Sequence, residues 1–409
     1  MVELRNSITN FKPKTIGISI RNIDNTSYPD TIFYLPKIKK IIGYIKSITD
    51  VKIIIGGSGF SIMPYEILNY LDIDIGVVGS GEKTICEVLN CIEYNEDCEG
   101  ITGVVNKKNC QIRFDFSNAN KLLNMYMPNR DSIDYKRYCI EGSVFNLQTE
   151  RGCAFNCIYC TYPKIEGSRI FLRDPDLIVE ELELIQKKYG GEYFCFTDSV
   201  FNYPINHAYR ICEKIIKNKL KIKWSAYINP KFLNEDIVKL FKKSGCRNIE
   251  IGIDSASDKI IESLGKNFGK NDIVKSIALS NKYMLKSGAS ILLGGPGEGK
   301  DTIEETFNLL KSIYPSVIIV SFGIRIYPGT VIYEKAKKEG YDLDNLLKPR
   351  FYISEKIDSD TIKIINNFRN EKNVIYESDS VKLTSNVIRR IRRLGVKGSL
   401  WEAKNIINK

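Results

Sequence analysis

The sequence predicts an α/β protein. A partial or full (β/α)6 barrel of parallel strands follows a smaller parallel, Rossmann-like sheet domain and precedes a short, mostly helical basic tail. Three observations carry this reading. Residues 14–93 alternate strand-like and helix-like patterns, the sign of a parallel sheet with crossover helices. A second, longer alternation starts near Ser143 and runs to Gly340. Between Val381 and Lys409, eight Lys and Arg residues stand against one acid, Glu402, so +7 of the formal net charge of +11 lies there. The expected domains are 1–140, 141–340 and 341–409.

The first domain reads in order. Thr15–Ile20 is a buried strand, and Tyr34–Thr49 has helical spacing through Leu35, Ile38, Ile41, Ile42 and Ile45. Val51–Ile55 is a β-branched run stopped by Gly56-Gly57. Pro64–Leu71 reads as a helix, Ile73–Val78 as a strand, and Glu82–Glu93 as a helix. Residues 101–115 look like a hairpin turning at Asn106–Asn109. The second series offers strands at Val144–Gln148, Tyr193–Thr197, Ile222–Ala226, Asn248–Gly252, Ser290–Leu293 and Val317–Phe322, with helices between them. The clearest helix is Leu177–Tyr189, capped by Asp174, opened by Pro175 and stopped by Gly190-Gly191.

Composition excludes several classes. Apolar residues are 43% and charged residues 27%, an ordinary globular mix. No run of ~18 apolar residues suggests a membrane span, and the first residues lack the apolar core of a signal peptide. There are 11 cysteines and one histidine, His207. Many cysteines without an export signal point to a reducing cytoplasm, where thiols bind metal or stay buried. Cys195, Cys212 and Cys246 read as core thiols, and His207 as a helix-capping or surface residue. The basic tail reads as an amphipathic helix, with nucleic acid not expected as a partner.

The chemistry concentrates in Arg151-Gly-Cys-Ala-Phe-Asn-Cys-Ile-Tyr-Cys160. Cys153, Cys157 and Cys160 are spaced C-x3-C-x2-C on the loop after the first barrel strand. Barrel chemistry sits at that end of the strands. Short-spaced thiolates suit one iron–sulfur cluster, and three of them leave one iron of a [4Fe–4S] cube open. A structural zinc would need a fourth ligand, and no close Cys or His supplies it.

This motif resembles that of the radical S-adenosyl-L-methionine (SAM) enzymes, over about residues 143–340. The resemblance implies a [4Fe–4S] cluster on Cys153, Cys157 and Cys160 and SAM chelated at the open iron. The cluster's electron would cleave the sulfonium and start radical chemistry. It also implies SAM contacts at Tyr159, beside the last cysteine; at Asp198, ending the second strand; and at Asp254 and Ser255, ending the fourth. Gly295 and Pro296 belong to the turn Gly294-Gly-Pro-Gly-Glu298 after the fifth strand. Arg325, after the sixth, faces substrate or SAM or makes a structural ion pair. No catalytic residue is assigned beyond these contacts.

The segments Gly56–Pro64 and Val78–Glu82, followed by such a barrel, resemble the cobalamin-binding domains of one branch of that family. Gly56, Gly57, Ser58, Gly79, Gly81 and Glu82 would then lie against cobalamin at the strand ends. The domain reads as shortened: the chain starts at what looks like the third of about five strands. The expectation is a truncated domain, or one completed by a partner or a missing segment.

The expected function is reductive SAM cleavage with cobalamin-dependent C-methylation of a small-molecule or peptide substrate. The electron donor would be a flavodoxin or ferredoxin. The alternative is a non-methylating radical SAM oxidoreductase, cyclase or rearrangement enzyme. Below it stand an iron–sulfur redox sensor or a nucleic-acid-binding protein.

Overall fold

The computed structural model describes residues 1–107, 114, 123–124, 127–135, 144–380, 390, 392–393, 398 and 401. The far arm of the expected 101–115 hairpin and most of the basic tail lie outside the described residues.

The N-terminal sheet has four strands: β1 (Thr15–Ser19), β2 (Lys52–Gly56), β3 (Ile75–Val77) and β4 (Val104–Asn106). They lie side by side in that order, the first three parallel and β4 antiparallel to β3. In β2, Ile53 and Ile55 join a core with Leu35, Ile42, Ile67 and Leu68 of helices Leu35–Lys46 and Pro64–Leu71. Ile54 points the other way, onto Val77 and Val88. An all-apolar strand is therefore buried on both faces. A helix over Val2–Phe11, which the sequence pattern did not announce, adds Ile8 to the first core.

The C-terminal part contains β5 (Phe145–Leu147), β6 (Glu150–Arg151), β7 (Phe171–Leu172), β8 (Tyr193–Phe196), β9 (Lys223–Ile228), β10 (Cys246–Asp254), β11 (Lys286–Leu293), β12 (Val317–Phe322), β13 (Ile324–Arg325), β14 (Phe351–Tyr352) and β15 (Val374–Tyr376). Seven of them form one parallel sheet in the order β15-β12-β11-β10-β9-β8-β5. The six strands expected from the sequence are all present. The seventh, β15, comes from the region expected to be mostly helical. Its three residues sit among Glu371, Lys372 and Glu377, so no run of apolar residues marked it.

The central strand β10 shows how the sheet divides its faces. Ile249, Ile251 and Ile253 pack into the helix-covered core with Ile237, Ile277 and Trp224. The alternate positions Asn248, Glu250, Gly252 and Asp254 carry polar groups or none. Because the strands are parallel, the loops after β5, β8, β9, β10, β11 and β12 gather at one end.

A buried ion pair joins the two halves. Arg325 Nε donates to Asp24 Oδ2 at 2.9 Å across 301 residues of sequence. The remaining guanidinium donors reach the Ile326 and Leu346 carbonyls at 2.6 and 2.8 Å. Tyr28 packs beside it against Phe322 and Phe351. Of the alternatives open in sequence, Arg325 takes the structural ion pair. Removing one partner of a buried pair strands the other charge, at a cost of about 3–5 kcal/mol. Arg325→Met is expected to destabilise the protein by this order in denaturant unfolding; a variant within 1 kcal/mol of wild type would contradict the linchpin role.

Candidate active site

The cysteine loop is built from its flanks. The Asp198 carboxylate, at the end of β8, accepts from the Thr149 amide and hydroxyl at 2.6 Å each and from the Glu150 amide at 3.1 Å. This turns the chain between β5 and β6. Gly152 follows at φ +89°, where an added Cβ would lie 2.1 Å from the Arg169 carbonyl, so the position admits only glycine. Antiparallel β6 and β7 close the loop's base. Inside it, the Cys153 amide bonds the Gly167 carbonyl and the Ile158 amide bonds that of Leu264, both at 3.1 Å.

Cys153, Cys157 and Cys160 line one cavity of about 250 Å³ with Tyr159, Tyr162, Ser199, Tyr227, Asn229, Gly252 and Lys266. All three are free thiols. Burial pushes the Cys160 thiol up to about 11 and raises that of Cys157. Such thiols ionise when iron binds them. Among the described residues no three His, Cys, Asp or Glu side chains converge tightly enough for a single metal ion. A cube takes each thiolate on a different iron, whereas a structural zinc needs a fourth protein ligand.

The cavity wall carries a charged network. Tyr159 donates its hydroxyl to Asp254 Oδ2 at 2.5 Å, and Lys266 Nζ lies 2.6 Å from the same oxygen. Lys266 also reaches the Tyr159 hydroxyl at 3.1 Å and the Gly252 carbonyl at 3.3 Å. Asp254 sits at φ +60°, unusual for a residue with a side chain, where the β10–β11 register shifts. Burial opposes the Lys266 charge, but Asp254 and the Cys157 and Cys160 thiols hold its pKa above the ordinary value. Lys266 was not singled out in the sequence; nothing marks a lysine after the helix Asp258–Ser263 until the fold brings it to the cysteines.

The other residues expected at SAM are placed less directly. Asp198 is spent on Thr149 and Glu150 and does not line the cavity, although its neighbour Ser199 does. Burial pushes its carboxyl up to about 6. Ser255 is buried and paired with the Thr306 hydroxyl at 3.1 Å, behind the wall. Gly295 gives its amide to Glu298 Oε2 at 3.1 Å, and the Pro296 carbonyl takes the Ser263 hydroxyl at 3.1 Å. These residues shape the turn beside the cavity. Tyr227, half exposed in it, is held by Glu250, which also accepts from Trp401 Nε1 at 3.1 Å. His207 is buried rather than on the surface, its Nε2 3.2 Å from the Thr149 carbonyl. Cys212 and Cys246 are core thiols.

A second cavity, a groove of about 520 Å³, runs along the ends of β1, β2 and β3. Gly56, Gly57, Ser58, Gly79, Gly81 and Glu82 all line it. Its floor is apolar, from Ile18, Ile54, Ile55 and Val77, and a Cβ built on Gly17 would meet nothing within 4 Å. A flat hydrophobic ligand with amide groups suits a groove of bare backbone and branched aliphatics. The far wall belongs to the other half of the chain: Gln148, Arg151, Ile165 and Glu166. Arg151 pairs with Glu82 and reaches the Ser80 hydroxyl at 3.3 Å. Against the opposing push of burial, its guanidinium holds the Glu82 carboxyl below the ordinary value.

Residues 147–310 match the family model described as the radical SAM superfamily, and residues 2–89 that described as the B12 binding domain. The chain carries a radical SAM domain. It is an enzyme of that superfamily, with a [4Fe–4S] cluster and SAM as cofactors and a B12-binding domain in front. An uncharacterized methyltransferase of Pyrococcus horikoshii is 26% identical over 368 residues, covering 86% of this chain and 77% of the relative. The tryptophan 2-C-methyltransferase of Streptomyces laurentii is 21% identical over 386 residues, covering 78% and 63%. Among solved structures, the radical SAM methyltransferase TsrM of Kitasatospora setae, with cobalamin and a [4Fe–4S] cluster bound, shares the fold. Its TM-score is 0.87 at 20% identity, over 99% of this radical SAM chain and 89% of that one. The cobalamin-dependent enzyme OxsB follows with a TM-score of 0.71 at 15% identity, over 96% and 65%. No helix among the described residues is long and apolar enough to cross a membrane.

Two outcomes follow from the site. Cys157→Ala is expected to lose most of the reconstituted cluster, read as bound iron and sulfide and as visible absorbance; full cluster content would contradict the ligand assignment. Glu298, its carboxyl buried and pushed up to about 7, contributes stability that is full below its ordinary pKa near 4.5 and is lost as pH rises through 7. The melting temperature of wild type relative to Glu298→Gln should therefore fall between pH 4.5 and 7; parallel curves would contradict the burial argument.

Proposed function

We propose that this enzyme is a cobalamin-dependent radical SAM methyltransferase acting on carbon of a small-molecule or peptide substrate. One observation carries the reading: a single segment, Arg151–Glu166, has one side on the groove and the other on the cysteine cavity. Arg151, Ile165 and Glu166 line the groove, while Cys153, Cys157, Cys160 and Tyr162 line the cavity. Chemistry that uses both cofactors needs this adjacency.

When bound, the cluster supplies one low-potential electron at an iron open to SAM, and cobalamin supplies a cobalt able to relay a methyl group. Cys153, Cys157 and Cys160 would hold three irons. Ser199, Asn229 and Gly252 offer hydroxyl, amide and bare backbone along the rest of the cavity, where SAM would lie. Tyr159 lines that wall, held by its hydrogen bond to Asp254 behind it. Asp198, Ser255, Gly295 and Pro296 act one layer behind, by holding the loops. Phe155 lines the cavity and packs against Tyr203 and Phe232, an aromatic cluster at its edge. In the groove, Gly56, Gly57, Ser58, Gly79, Gly81 and Glu82 would meet cobalamin. The described sheet is short, yet the relative solved with cobalamin matches it over nearly the whole chain, which supports binding. The electron would come from a flavodoxin or ferredoxin in a reducing cytoplasm.

The test is anaerobic reconstitution with dithionite and SAM, with and without hydroxocobalamin, over a panel of candidate acceptors. S-adenosylhomocysteine that depends on cobalamin is the expected product. 5′-Deoxyadenosine alone, even with an accepted substrate, would replace this reading with the non-methylating one. Separately, Gly17→Phe should fill the groove. It is expected to weaken hydroxocobalamin binding at least tenfold, followed by the cobalamin absorbance retained after gel filtration, while leaving cluster content unchanged. Undiminished retention would rule the groove out.

A further inference from the structure

Cysteines aside, Lys266 is the one formally charged side chain among the described residues lining the cluster cavity. Its ammonium is buried, with 7% of the side chain exposed. A lysine has three N–H donors, and here three acceptors surround them: Asp254 Oδ2, the Tyr159 hydroxyl and the Gly252 carbonyl. No donor is left for a ligand carboxylate. What the side chain can still exert on the cavity is its charge.

Asp254 does not line the cavity; it stands behind the lysine and fixes it. Burying such a pair costs several kcal/mol per ion before their attraction is counted, and Asp254 adds a left-handed backbone. A purely structural role would be served by an apolar contact at lower cost. A cation fixed beside the cluster favours the reduced form, which carries one more negative charge, and so raises the reduction potential. A carboxylate does the reverse, and more weakly from farther back.

We propose that Lys266 is a positioning residue of charge: it sets the reduction potential of the cluster held by Cys153, Cys157 and Cys160, with Asp254 as the opposing charge. The inference rests on the cluster reading above. The experiment is an EPR-monitored redox titration of the reconstituted full-length enzyme without SAM, with dithionite as reductant. Lys266→Met is expected to lower the midpoint, Lys266→Arg to keep it near wild type, and Asp254→Asn to raise it. If Lys266→Met takes up no cluster, the sign of the Asp254→Asn shift decides. An unmoved midpoint in Lys266→Met, an arginine variant as low as the methionine one, or a downward shift in Asp254→Asn overturns the proposal. A wild-type protein that binds no cluster would instead overturn the cluster reading itself, so the two failures are distinct.

Discussion

Much of this structure depends on one carboxylate that lines neither cavity. Asp198 gathers two amides and a hydroxyl of Thr149 and Glu150 at the point where the first barrel strand ends. That turn aims Arg151 at the N-terminal groove and the next ten residues at the barrel mouth. Without it, the loop and short helix between β6 and β7 would have no fixed direction. Net hydrogen bonds to a charged group are worth more than neutral ones, and a fully buried acceptor must have its donors. The result is a rigid entry to the cysteine loop, with His207 held to the carbonyl of the same Thr149.

Among the described residues, two ion pairs tie the halves of the chain, by different physics. Arg325 and Asp24 are buried, so their pairing is all-or-nothing and fixes the relative position of the halves. Arg151 and Glu82 lie at the rim of the groove, partly open to water, with 15% and 38% of their side chains exposed. Such a pair adds less stability but lines a site. The buried tie positions; the rim tie belongs to the cavity that a ligand would fill. Between them, the Arg151–Glu166 segment forms a thin partition, and each cavity draws its own side chains from it.

The sequence made the local features legible because each depends on near neighbours. The three cysteines fall within eight residues, so their spacing could be read without the fold. The strand alternation survived because β-branched runs and glycine stops mark it. Two further things were missed for the same reason in reverse. The strand β15 is three residues long and borrows its stability from β12, not from its own pattern. Lys266 reaches Tyr159 across 107 residues, a contact no local signal encodes. The place of Asp198 at a strand end suggests a ligand contact; that its carboxylate accepts three hydrogen bonds from the turn after β5 is visible only in the fold.

By itself, then, the sequence determined the order of strands and helices, the cysteine triad and the glycine-lined strand ends of the first domain. Each follows from hydrophobic period, backbone freedom or thiol spacing over a few residues. Only the tertiary structure decided which polar side chains face the cavity and which are consumed behind it. That choice turns on contacts between residues far apart in the chain, such as Asp254 with Lys266 and Arg325 with Asp24. Their partners are set by how the parallel strands stack, and burial then makes each pairing obligatory.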